Sequence, residues 1–181
     1  MHKSNEYDRI VEYINDEGID SETQLLICAF AVLWNRYEDE LYENYYKADK
    51  LQGEVNKLCR FIIHDQVDYL YEELKKYLTH KTNYNYGGIK TYFNISDKEA
   101  KGGMLNNMIN GKNDKCKLHF LLLICARVRN NMFHGIKDRR NLNSQKRLFE
   151  ICNMTLMEAL RMHGFDSCNV AEFEIINNVG K

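Results

Sequence analysis

Residues 120–135 read FLLLICARVRNNMFHG, and the fold class turns on how this stretch is read. Seven uncharged, apolar residues from Phe120 to Ala126 give way within two turns to Arg127, Arg129, Asn130, Asn131 and His134. Cys116, Phe120, Leu123, Ile124, Arg127 and Asn131 fall at helical spacing, which predicts a helix from about Cys116 to His134. Gly135 stands where a helix C-cap is favoured. The stretch is therefore a greasy helix with a polar, cationic end.

Working outward, helical spacing dominates the chain. Its 181 residues contain no proline, so nothing forbids long uninterrupted helices. Tyr7, Ile10, Val11 and Ile14 predict a short amphipathic helix, with Gly18 as its stop. Ser21 and Gln24 have the spacing of a capping box, and Leu26, Phe30, Leu33, Tyr37, Leu41 and Tyr45 carry a long helix onward. Its first turns, Leu25 to Trp34, are apolar on every side, which predicts a central helix buried by neighbours or by a second subunit. Leu58, Cys59, Ile62, Ile63, Leu70, Leu74, Tyr77 and Leu78 predict a third long helix from Val55. A last helix is expected from about Ser144 to His163, stopped by Gly164, while Val170 to Ile176 fits either helix or strand.

Between these elements, residues 79–115 change character. Gly87-Gly88, Gly102-Gly103 and many Asn and Lys residues signal irregular structure, within which Ser96 and Glu99 have the spacing to cap one short helix. The expected architecture is an all-α helical bundle of one domain, residues 1–181, with a long irregular or partly helical insertion around residues 80–115. With 44% hydrophobic residues the chain buries one sizeable core and not two.

The longest apolar run covers about half of the roughly 20 residues a membrane span needs, and Met1 to Asp8 lacks the apolar segment of a signal peptide. A soluble, cytoplasmic protein with no membrane partner is expected. Six widely spread cysteines form no CxxC pair and no Cys/His cluster, so they read as reduced thiols and no metal or other cofactor is expected.

A net charge of -1 hides an asymmetry. Residues 5–49 hold twelve Asp/Glu against Arg9, Arg36 and Lys47, whereas residues 112–147 hold ten Lys/Arg against Asp114 and Asp138. The basic segment is able to face a polyanion, or to be no more than a solvated surface.

The polar helix end is the best candidate for chemistry. Asn130 and His134, four apart, share a helix face, while Arg129 and His134 diverge by about 140° on an ideal helix and so flank one pocket only if the helix distorts or two copies meet. His134 suits proton transfer by its near-neutral pKa. The plainer reading is that Arg and His gather at helix C-termini for electrostatic reasons alone.

Arg129-Asn-Asn-Met-Phe-His134-Gly resembles the R-x4-6-H motif of the HEPN superfamily, in which a polar residue often follows the arginine. The apolar run before it and the helix after it match the usual setting, over roughly residues 116–160. Trp34-Asn-Arg-Tyr-Glu38 resembles a W-x-x-(Y/F)-E pattern on an earlier helix of several HEPN branches. Trp34 and Tyr37 read as core aromatics.

The resemblance implies a helical bundle that dimerises through its motif helices, so that two motifs form one site cleaving RNA without metal to 2',3'-cyclic phosphate and 5'-hydroxyl ends. Arg129, Asn130 and His134 would be catalytic, Glu38 and Asn131 would orient them, and Arg127, Lys137, Arg139 and Arg140 would hold the RNA backbone. It implies a toxin or anti-phage defence role and an antitoxin or regulatory protein as partner. The family's modifiable tyrosine after the histidine is missing, since Ile136 follows Gly135. The alternative is a non-catalytic HEPN dimer that binds RNA, a nucleotide or a protein as a scaffold.

Two weaker features complete the reading. His64-Asp65 has the form of a metal phosphohydrolase dyad without its further ligands, and an ordinary helix-surface pair is favoured. Tyr84, Tyr86, Tyr92 and Phe93, set among Lys81 and Lys90, have the composition of a base-stacking platform or of a loop packed by its own tyrosines.

Overall fold

The computed structural model of the chain describes residues 18–43, 45–97, 99, 103–133 and 142–178. The expected helix around Tyr7 to Ile14 lies outside the described residues. Among the described residues there are seven α-helices and no strand: α1 Ser21–Tyr42, α2 Leu51–Leu58, α3 His64–Lys81, α4 Tyr86–Phe93, α5 Met104–Ile109, α6 Asp114–Phe133 and α7 Lys146–Asn178. One contiguous hydrophobic core draws side chains from every one of them. None is long and apolar enough to cross a membrane.

The helix α6 is the axis of the bundle. It packs against α2, α3, α4, α5 and α7, and every residue from Leu118 to Ala126 is buried. Asn113 starts it, its side-chain oxygen accepting the Cys116 N–H at 2.9 Å. The apolar run is thus consumed by the chain's own core.

For α1 the chain's own helices cover one face only, which corrects the expectation of burial by its neighbours in the bundle. The helix packs chiefly on α7, burying Phe30, Trp34, Tyr37 and Leu41, while Leu25 and Val32 are 69% and 68% exposed and Cys28 between them is exposed too. Its cap is also one residue earlier than predicted: Asp20, not Ser21, accepts the Thr23 N–H at 2.8 Å, and the Gln24 amide turns back to the Ile19 carbonyl at 2.7 Å. Asp20 wins because its extended backbone (φ -67°, ψ 153°) aims the carboxylate at the first turn.

The third helix expected from Val55 is broken. A 3-10 turn at Cys59–Phe61 and extended Ile62 and Ile63 separate α2 from α3. In one straight helix the buried set Leu51, Val55, Leu58 and the set Val67, Leu70, Tyr71, Leu74, Tyr77, Leu78 would face directions roughly 140° apart. Breaking the chain lets both sets reach one core. His64, at the start of α3, pairs through Nδ1 with Asp114 Oδ2 at 2.8 Å rather than with Asp65, so it clamps the starts of α3 and α6.

The described residues between 80 and 115 are more helical than their composition suggested. The helices α4 and α5 deliver Ile89, Phe93, Leu105, Met108 and Ile109 to the core. Gly88 is required by closeness rather than by looseness, since a Cβ there would collide with the Asn83 carbonyl. The Tyr84 hydroxyl donates to the Ile109 carbonyl at 3.0 Å and Phe93 is fully buried, so this stretch is packed by its own aromatics. Finally, α7 runs through Gly164 to Asn178, which removes the expected stop and places residues 170–176 in helix. One glycine in a helix interior costs only about 1 kcal/mol and does not end it unaided.

Candidate functional site

The end of α1 builds one side of the candidate site. Glu43 closes the helix in the left-handed conformation (φ 53°), and the chain folds back so that the Tyr46 ring meets Trp34 and Tyr42 edge-on, with centroids 5.3 and 5.1 Å apart. Trp34 and Tyr37 are buried, as core aromatics should be. Burial holds the phenols of Tyr37 and Tyr46 well above their ordinary pKa, so this aromatic base stays neutral. The fold-back also aims the Tyr46 N–H at Glu38 Oε1, 3.2 Å away.

Glu38, followed in the chain by Asp39 and Glu40, is held with only 14% of its side chain exposed. Its other oxygen, Oε2, lies 3.7 Å from Arg129 Nη2 on α6. Arg129 Nη1 also donates to Asn130 Oδ1 at 3.2 Å. Three of the predicted site residues, Glu38, Arg129 and Asn130, are therefore neighbours. The 3.7 Å separation is the long end of ion-pair range, and 34% of the Arg129 side chain remains exposed.

The other predicted residues divide into two groups. His134, Lys137, Arg139 and Arg140 lie outside the described residues; His134 follows directly on Phe133, the last residue of α6. Asn131 is buried, and on helix geometry it points about 200° away from Arg129, so an orienting role toward that arginine does not fit it. Its Oδ1 has no hydrogen-bond partner among the described residues.

Arg127 is a correction. Its Nε donates to the Phe93 carbonyl at 3.0 Å, its Nη2 to the Asn94 carbonyl at 2.6 Å, and its Nη1 reaches both Glu99 oxygens at 3.4 Å. Only 12% of the side chain is exposed. It ties the end of α4 to α6 and has no face left for RNA. Glu99 in turn accepts the Ser96 N–H at 2.9 Å and the Ser96 hydroxyl at 2.7 Å, so the Ser96–Glu99 box forms as the spacing predicted.

The same bookkeeping shrinks the basic segment. Lys117 pairs with Asp68, Lys146 with Glu22 at 2.7 Å, and Arg147 with Glu73 and Glu150, each at 2.6 Å. With Arg127 and Arg129, five of the seven cations described between residues 112 and 147 face carboxylates within the chain. Among the described residues no group of three His, Cys, Asp or Glu is arranged to hold a metal ion.

One residue that sequence reasoning passed over is His119, buried on the inner face of α6. Burial, with Lys115 nearby, lowers its pKa to about 4, so the imidazole is neutral at physiological pH. The signal was a lone histidine at the head of the apolar run, which by itself distinguishes nothing. No protein-family model, curated protein or solved structure matches the chain.

Proposed function

We propose that the chain is an endoribonuclease of the HEPN type, acting without a metal ion in a toxin or anti-phage defence setting. The observation that carries this reading is the meeting of Glu38 with Arg129: two motif positions far apart in sequence come within 3.7 Å at the polar end of α6. A structural arginine is usually enclosed, as Arg127 is, whereas Arg129 keeps a third of its side chain open beside a carboxylate that holds it in place.

In the reaction, the ribose 2'-hydroxyl gives its proton to a base and its oxygen bonds to the adjacent phosphorus. The bond from phosphorus to the 5'-oxygen breaks, and that oxygen takes a proton, leaving a 2',3'-cyclic phosphate and a 5'-hydroxyl. His134 is assigned to this proton transfer, and Arg129 to the charge that develops on the phosphate oxygens. Asn130, hydrogen-bonded to Arg129, orients it. Lys137, Arg139 and Arg140, next along the chain, would hold the RNA backbone by charge.

A homodimer belongs to this proposal, with the polar end of α6 meeting its two-fold mate, since the apolar part of that helix is already buried. Incubating RNA with the chain in EDTA and sequencing the new ends tests the proposal. The expected result is cyclic-phosphate ends with the native chain, and a loss of about 10² to 10⁴-fold with His134→Ala. A folded His134→Ala chain that still cleaves at the native rate removes the catalytic assignment and leaves a binding scaffold.

A further inference from the structure

Beside α6, on the face that also carries Arg127, lies a cavity of about 220 Å³. Leu51 of α2, Met104 of α5 and Leu123 of α6 give it apolar walls. His119, only 6% exposed, lines it and has no hydrogen bond to any described residue. A mostly buried imidazole in a cavity wall, not bonded to the described residues, leaves its nitrogens open to whatever enters the cavity. Gln52 is the second neutral polar residue in the wall, and its amide Nε2 also donates to Asn56 Oδ1 at 3.3 Å.

Size and charge narrow the ligand. An engineered apolar cavity of about 150 Å³ holds a benzene ring, while pockets for drug-sized molecules begin at about 300 Å³. The space here suits a two-ring system. Asp49 and Glu99 also line it and the imidazole carries no charge, so a phosphate or carboxylate is unwelcome. A neutral imidazole offers one N–H donor and one nitrogen acceptor, and an amide offers both kinds as well. A methionine thioether in the wall favours contact with an aromatic ring.

We propose that this cavity is a purine-binding pocket, in which the rings lie among Leu51, Met104 and Leu123 and the hydrogen-bonding edge meets His119 and Gln52. The purine comes either from a base unstacked from an RNA strand or from a free nucleoside. This inference rests on the cavity alone and stands or falls separately from RNA cleavage.

The test is a titration of the full chain, labelled with 15N-histidine, with adenosine, guanosine, uridine and short single-stranded purine and pyrimidine oligoribonucleotides. The purine ligands should shift the His119 ring nitrogens saturably, with a dissociation constant under about 1 mM for the preferred nucleoside or oligomer. His119→Phe should weaken that binding by about tenfold or more, the effect of losing a buried hydrogen bond. Ala48→Phe, at an exposed position lining the cavity, should block it without touching the core. Binding by the purine oligomer but not by nucleosides assigns the pocket to a strand; binding by both assigns it to the base alone. The proposal is overturned if no purine ligand shifts His119, if uridine and the pyrimidine oligomer bind as well as the purines, or if binding is unchanged in Ala48→Phe.

Discussion

Arg127 and Arg129 sit two residues apart on one helix, and the fold uses them in opposite ways. About 200° of helix rotation separates them. Arg127 faces inward to two backbone carbonyls and Glu99, with 12% of its side chain exposed, while Arg129 faces Glu38 and Asn130 with 34% exposed. In sequence the two are equivalent cations near the polar end of one helix. The difference shows that the number of cations in a segment measures its reach toward a polyanion only after those held by the chain itself are subtracted.

The largest effects test this contrast directly. Arg129→Ala should lower RNA cleavage by about 10² to 10³-fold, the usual loss on removing one charge-stabilising donor, with the melting temperature nearly unchanged. Arg127→Ala should do the reverse. It strands Glu99 and the Phe93 and Asn94 carbonyls, so unfolding in urea should show a loss of about 3 kcal/mol, with cleavage per folded molecule intact. An Arg127→Ala chain that melts normally but no longer cleaves would erase the distinction and make Arg127 a substrate residue.

How much of this was legible follows from the range of each interaction. The start of α6, its polar end and the Ser96–Glu99 box were readable because they depend on residues within four positions of one another. The break between α2 and α3 was readable in principle from the slip of the apolar period near Ile62. That α1 is open on one face and α6 closed was not readable, since both show an unbroken apolar run and only the packing of the other helices decides which is enclosed. The Arg127–Glu99 tie joins distant segments that spacing cannot connect. Glu38 beside Arg129 was reached through a family resemblance, and nothing in the local pattern of either helix points to the other.

The inward face of α6 also makes a pH prediction. His119 is neutral when folded, with its pKa lowered to about 4 by burial and by Lys115. In the unfolded chain it titrates near 6.5, so below that value the unfolded state binds the extra proton. The contribution is therefore complete above pH 6.5 and is lost as pH falls toward 4, by an amount on the order of 3 kcal/mol. His119→Phe should flatten this part of the stability curve between pH 6.5 and 4. A curve of unchanged slope would mean that the imidazole is solvated rather than enclosed.

The smallest effect concerns Glu38, the carboxylate beside the outward arginine. Glu38→Gln keeps the shape of the side chain and the oxygen that accepts the Tyr46 N–H, and removes the charge that faces Arg129. The pair is partly exposed and 3.7 Å apart, so solvent screens it and stability should change by less than about 1 kcal/mol. Positioning is another matter. Residues that orient a catalytic group typically cost about 10 to 100-fold when lost, and the lower end is expected here because Asn130 still holds Arg129. The loss should fall on kcat with KM nearly constant, because Glu38 acts through Arg129 rather than on the RNA. Glu38→Ala should be worse than Glu38→Gln in both activity and stability, since it also frees the Tyr46 N–H and loosens the fold-back over Trp34. Equal kcat in Glu38→Gln and the native chain would confine Glu38 to holding Tyr46, and Arg129 would then be oriented by α6 and Asn130 without it.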